Sequence, residues 1–161
     1  MERRTEMSMQ GAATGIEPSA ASSEQEVVAA GHPLLLFDGV CNLCHGAVRF
    51  IIARDPKKLF RFASLQSDYG RELVRKHGLP EDVRTMILVD PDGRVSTRST
   101  AALRVATKLG ALWPLMGALL VVPRFLRDPV YEFIARNRYS WFGKKDSCPL
   151  PDPSLADRFL G

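Results

Sequence analysis

Leu34-Leu35-Leu36-Phe37-Asp38-Gly39-Val40-Cys41-Asn42-Leu43-Cys44 runs from four consecutive apolar residues through a short loop into a Cys-x-x-Cys pair. An uninterrupted apolar run of this length reads as a strand buried on both faces. After the pair, Ala47, Val48, Ile51 and Ile52 recur at helical spacing until Asp55-Pro56 ends the segment. Strand, cysteine pair and helix in this order match what thiol-disulfide exchange needs. One sulfur must sit where unpaired N–H groups and the positive end of the helix dipole favour a thiolate. The second must lie one turn away, to attack the mixed disulfide.

Outward from this unit, Leu59 to Ala63 reads as a second strand. The helix between the two strands makes a right-handed parallel crossover the expected connection. Ser67 opens a second helix that ends at His77-Gly78. Thr85 to Val89 is a β-branched and apolar strand, Asp90-Pro91-Asp92-Gly93 a turn, and Arg94 to Thr97 an antiparallel return strand. Ser99 or Thr100 can cap a third helix, which stops at Gly110. The order β-α-β-α-β-β-α is the minimal thioredoxin or glutaredoxin core. It predicts an α/β fold with a four-stranded mixed sheet in order 2-1-3-4, flanked by helices, with residues 33–37 central and 94–97 at an edge.

A helical C-terminal extension over residues 111–161 completes the domain. Leu109 to Pro123 is uncharged, but Pro114 interrupts it and it falls short of the roughly 20 residues a membrane-spanning helix needs. It therefore reads as core packing, with no membrane span. Asp128-Pro129 reads as an N-cap and first-turn proline opening a helix with Val130, Phe133 and Ile134 on one face.

With 161 residues, 45% of them hydrophobic, the chain suits a single domain over residues 31–161, its core spanning 33–110. Residues 1–30 lack aromatic side chains and carry two basic against five acidic groups, which predicts a disordered tail and leaves +7 on the remaining 131 residues. Arg3 and Arg4 are followed by no apolar segment of signal-peptide type, so the cytoplasm is the expected location. Met7 and Met9 leave the start of the chain open. The basic residues are scattered among acids without interleaved aromatics, which speaks against nucleic-acid binding.

Three readings of Cys41 and Cys44 compete: redox exchange, half of a metal site, and an inert structural pair. A zinc site would need a second ligand pair. The third cysteine, Cys148, stands far off beside Pro149, and His32, His45 and His77 fall in no ligand spacing. Redox exchange is the favoured reading, with no cofactor and no metal. A metal-binding or partner-docking module whose cysteines do no chemistry is the alternative. The partners expected are a disulfide-containing protein or small thiol substrate and an unidentified electron donor. Cys41, at the first turn, is the expected nucleophile and Cys44 the resolving thiol. Asp38 is the supporting residue, either bracing the loop by accepting backbone N–H bonds, which is preferred, or accepting a proton from the buried sulfur. His45 reads as a solvated helix residue, with an imidazole near the thiolate as the alternative. Gly39 is expected to supply backbone freedom, and Cys148 to be dispensable.

Read as D-x-x-C-x-x-C, residues Asp38 to Cys44 resemble the thiol-disulfide oxidoreductase DCC family, named for that Asp and those two Cys. Leu88 to Gly93, Ser99 to Leu103 and Tyr139-Ser140-Trp141-Phe142-Gly143 are similar to it as well, so the resemblance covers roughly residues 33 to 161. It implies a thioredoxin-like fold, disulfide exchange through Cys41 and Cys44, and a Cys near the position of Cys148 in relatives. Two features depart from thioredoxins. Val83-Arg84-Thr85-Met86 lacks the proline that thioredoxins place before the strand facing the active site. Asn42-Leu43 also matches neither the Gly-Pro of thioredoxin nor the Pro-Tyr of glutaredoxin.

Overall fold

β1 (Leu34–Phe37) has every side chain buried, as its unbroken apolar sequence requires. The structure, a computed structural model, describes residues 20–146 and 153–161. Alternation along β1 sends Leu35 and Phe37 to one side of the sheet, against Val48 and Ile51 of α2 (Asn42–Arg54) and Ala101 and Val105 of α4 (Arg98–Lys108). Leu34 and Leu36 face the other side, with Leu73 and Val74 of α3 (Asp68–Lys76). Each fully buried Leu or Phe contributes about 1.5–3 kcal/mol over leaving it in water. These four residues therefore anchor both halves of the core.

Across α2, β1 pairs in parallel with β2 (Arg61–Ser64), Leu35 opposite Phe62. On its other edge it pairs antiparallel with β3 (Ile87–Val89), which returns into β4 (Val95–Thr97). The expected four-stranded sheet in order 2-1-3-4 is corrected to five strands, β4-β3-β1-β2-β5, because β5 (Phe159–Leu160) adds in parallel to the free edge of β2. Two residues carry no alternation to read, so this strand had no local signature. It is held by its neighbour Arg158, 1% exposed, whose guanidinium bonds Asp55 and, through Nε at 3.2 Å, the Phe60 carbonyl. Asp55 in turn accepts the N–H groups of Leu59 and Phe60 at 3.0 and 3.1 Å, so the buried carboxylate is fully partnered.

α3 approaches β2 closely at Gly70, where an added Cβ would lie 2.0 Å from the Ser64 carbonyl oxygen. Ser67 caps α3, as expected, by accepting the Gly70 N–H at 3.0 Å.

Three expectations for the flanks are corrected. The tail assigned to residues 1–30 contains α1 (Ala20–Ala29), which packs on α3; residues 1–19 lie outside the described residues. Buried Glu24 bonds Lys76 at 2.6 Å and His77 at 2.8 Å, at the negative end of α3, while Val27 and Val28 rest against the core. Two valines among polar residues suffice once an ion pair holds the helix. Of the uncharged stretch Leu109 to Pro123, expected in the core, Leu109 is buried there and Trp113 rests against it, but the rest is a 3₁₀ segment, Trp113–Val121, with no buried residue. Finally, the last helix, α5 (Arg124–Phe142), starts ahead of Asp128-Pro129, leaving Pro129 inside it. Asp128 accepts a short hydrogen bond from the Ser99 hydroxyl on α4 instead of capping its own helix. That cross-helix partner outweighs the local capping signal.

Candidate active site

Asp38, Gly39 and Val40 carry the chain from the end of β1 to Cys41, the N-cap residue of α2 in extended conformation (φ −92°, ψ 119°). In that position Cys41 Sγ accepts the Cys44 N–H at 3.4 Å, using one of the first-turn amides that have no partner inside the helix. Both cysteines are free thiols. Cys44 is half-buried and packs on the core cluster that contains Val48 and Ile51. Burial first, then the hydrogen bond and repulsion from Cys41, push its thiol up from 9.0 to about 12; repulsion from Asp38 acts the same way and the Arg138 charge opposes it. Cys44 is thus held protonated.

Asp38, 1% exposed, organises the loop. Its Oδ1 accepts the Val40 N–H at 3.2 Å and Gln66 Nε2 at 3.0 Å. Its Oδ2 accepts Arg138 Nη2 at 2.7 Å and a short bond from the Tyr139 hydroxyl. Those four donors fill the acceptor capacity of a carboxylate. Burial, and then the bond to Asp38, raise the Tyr139 phenol above its ordinary value, keeping it a donor. Gln66 Oε1 accepts the Gly39 N–H at 2.7 Å, tying loop and β2–α3 connection together. Gly39 itself has no positive φ, so the freedom expected of it is not called on.

His45 takes neither expected role. Its Nε2 lies 2.5 Å from the Gly39 carbonyl oxygen, which can only accept, and its ring stands edge-on to Phe37 at 5.6 Å. It braces the loop from the helix side. Cys148 lies outside the described residues.

Gln66, Arg138 and Lys144 are neighbours of the motif that motif reading did not pick out, and Tyr139 and Asn42 stood in quoted motifs without a role assigned to them. At the end of α5, Gly143 (φ 80°) turns the chain back over the motif. Lys144 then forms an antiparallel bridge with Cys41, the Lys145 N–H donates to the Val40 carbonyl at 2.8 Å, and Asn42 Nδ2 donates to the Phe142 carbonyl at 2.8 Å. This strap leaves Cys41 with 0% exposure. α5 also closes the stretch before β3: Tyr131 Oη accepts the Met86 N–H at 3.1 Å, and the Arg138 guanidinium bonds the Arg84 carbonyl. One signal was available. An aspartate after a buried strand needs a cation, but 22 basic residues compete for that place in the sequence. Among the described residues no group of three or more His, Cys, Asp or Glu is placed to hold a metal ion.

The chain is similar to known proteins over most of its length. It is 54% identical over 127 residues to "Uncharacterized protein YuxK" of Bacillus subtilis, covering 79% of this chain and 93% of that one. It is 41% identical over 120 residues to "DCC family protein At1g52590, chloroplastic" of Arabidopsis thaliana, covering 73% of this chain and 69% of that one. No solved structure matches. The family model of DCC1-like thiol-disulfide oxidoreductases matches residues 35–144, a span that includes all of β1 but Leu34, the loop, both cysteines and the helix that supplies Arg138 and Tyr139. The chain belongs to the DCC1-like thiol-disulfide oxidoreductase family.

Proposed function

We propose that the protein reduces disulfides through Cys41 as nucleophile and Cys44 as resolving thiol, with Asp38 as a positioning residue. The observation that carries this reading is the asymmetry of the pair: Cys41 Sγ accepts an amide at the helix N-terminus while burial holds Cys44 protonated. The Cys41 thiolate attacks one sulfur of the substrate disulfide, and the other sulfur leaves as a thiolate that takes up a proton. Cys44 then gives up its proton and attacks Cys41 Sγ, releasing the second substrate thiol and forming a Cys41–Cys44 disulfide. Two electrons pass to the substrate, whose two product thiols take one proton from Cys44 and one from solvent. A dithiol or small-thiol donor returns the electrons.

Asp38 acts by bracing. With its four acceptor positions filled by Val40, Gln66, Arg138 and Tyr139, it holds the loop that presents Cys41 and has no free lone pair for the Cys44 proton. Substrate entry requires the strap over Cys41 to lift. The cytoplasm is the compartment of this reading, and its reducing poise sets the direction. Turnover of a small aromatic disulfide with dithiothreitol as donor tests it: the parent should turn over and Cys41→Ser should fall to background. Equal turnover by both, or stoichiometric metal in protein purified under reducing conditions, would favour a module whose cysteines do no redox chemistry.

A further inference from the structure

The helix that braces the motif also forms one wall of a basic cleft. This cleft, of about 560 Å³, is lined by Arg84 from the stretch before β3, Arg98 from the start of α4, and Glu132, Arg136, Arg138 and Tyr139 of α5. Its volume falls in the ordinary range for a bound small molecule. Two of its wall residues touch the motif. Arg138 and Tyr139 donate to the same oxygen of Asp38, and the Arg138 charge acts on the Cys44 thiol. These two side chains therefore belong both to the cleft and to the brace of the loop that presents Cys41.

The charge of the lining selects the sign of what fits. Glu132 is shared between Arg98 at 3.3 Å and Arg136 at 3.7 Å, which leaves one of those two charges over. Asp38 answers Arg138 at 2.7 Å. Arg84 is exposed and in no ion pair among the described residues, so two positive charges of the lining stand unanswered. Lys144 of the strap, exposed and likewise unpaired, holds its Nζ 5.8 Å from the centre of the Tyr139 ring. Guanidinium groups bind carboxylates through paired hydrogen bonds, and cations gathered in one cleft repel one another until an anion joins them. Arg98 also keeps a left-handed backbone (φ 54°), a conformation that residues other than glycine adopt at a cost and that recurs at binding sites. The neighbouring cleft, about 620 Å³, shares Arg84 but sets Arg71 and Arg75 with it against Asp68, Glu81 and Asp82, so its lining favours neither sign.

We propose that the cleft between Arg84, Arg98 and α5 holds a carboxylate of the substrate, so that the disulfides this protein reduces are acidic peptides. The choice of a disulfide rests on the redox reading above, whereas the anion site rests on its own geometry. The test uses disulfide-linked dimers of blocked tripeptides with Glu, Gln or Lys on both sides of the cysteine. Each is mixed with the prereduced full chain, and oxidation of the protein is followed by intact mass, with dithiothreitol reducing the same peptides as the chemical reference. Relative to that reference, the Glu peptide should oxidise the parent at least about tenfold faster than the Lys peptide, with Gln between them and the gap closing as salt is raised. Arg84→Gln should slow the Glu peptide about fivefold without moving the thermal midpoint, because the backbone carbonyl that Arg138 bonds is retained. Equal rates for the three peptides, or a preference for Lys, would overturn the proposal while leaving disulfide reduction in place. Equilibrium dialysis of the Glu peptide against the unreactive Cys41→Ser, Cys44→Ser chain tells the two failures apart. If no peptide oxidises the parent, the redox reading falls; binding that Arg84→Gln weakens then keeps the anion site, and absence of binding removes it as well.

Discussion

Arg138 is the residue on which the geometry of the candidate site depends most. Its guanidinium is buried, pairs with Asp38 at 2.7 Å, and links the motif loop to the Arg84 carbonyl. Arg138→Met leaves an uncompensated buried carboxylate and should lower unfolding free energy by about 3–5 kcal/mol in urea titration. Arg138→Lys should recover only part of it, since a point charge cannot bridge both acceptors as a planar fork does. Cys44 supplies a pH signature. Folding raises its thiol from 9.0 to about 12, so the folded state keeps a proton that the unfolded chain releases. The stabilisation is fully present below about pH 9 and is lost as pH rises toward 12. Urea midpoints of the parent should fall across that window more steeply than those of Cys44→Ser; equal slopes would remove Cys44 as the cause. At this scale the two cysteines and Asp38 were legible from chemistry that is local in sequence. Arg138 and Gln66 were not, because a buried carboxylate demands a partner without saying which of many it is.

Elements were legible where their signals are periodic and failed where a distant partner supplies the energy. β1, α2 and α3 fall where their apolar spacing and caps place them. α1 was read as tail because the ion pair that holds it, Glu24 with Lys76 and His77, joins residues some fifty positions apart. Glu24→Ala should therefore destabilise the fold by about 1–3 kcal/mol, a cost that a free tail would not show in thermal or urea unfolding. The strap after α5 makes a kinetic prediction. Asn42→Ala removes the bond to the Phe142 carbonyl, one of the contacts that cover Cys41. Alkylation of Cys41 should then speed up roughly twofold to tenfold. An unchanged rate, followed by mass spectrometry, would mean that the strap does not limit access.

Across the whole molecule, two buried arginine-aspartate pairs join the C-terminal extension to the α/β core: Arg138 with Asp38 at the motif, and Arg158 with Asp55 behind β2. The extension expected over residues 111–161 is thereby tied to the core at two buried points. Arg158→Met, which strands Asp55, should cost about 3–5 kcal/mol, a large share of the roughly 5–15 kcal/mol typical of a domain. The extension also lays the strap over Cys41 and turns apolar side chains of α5 outward. The central claim, that Cys41 attacks and Cys44 resolves, is tested most directly by trapping. Each single Cys→Ser variant is exposed to an oxidised small disulfide and its intact mass is read under non-reducing conditions. Cys44→Ser should accumulate a mixed disulfide on Cys41, while Cys41→Ser should trap nothing beyond background. Equal trapping by the two variants, or an adduct on Cys44 that forms faster than one on Cys41, would contradict the account.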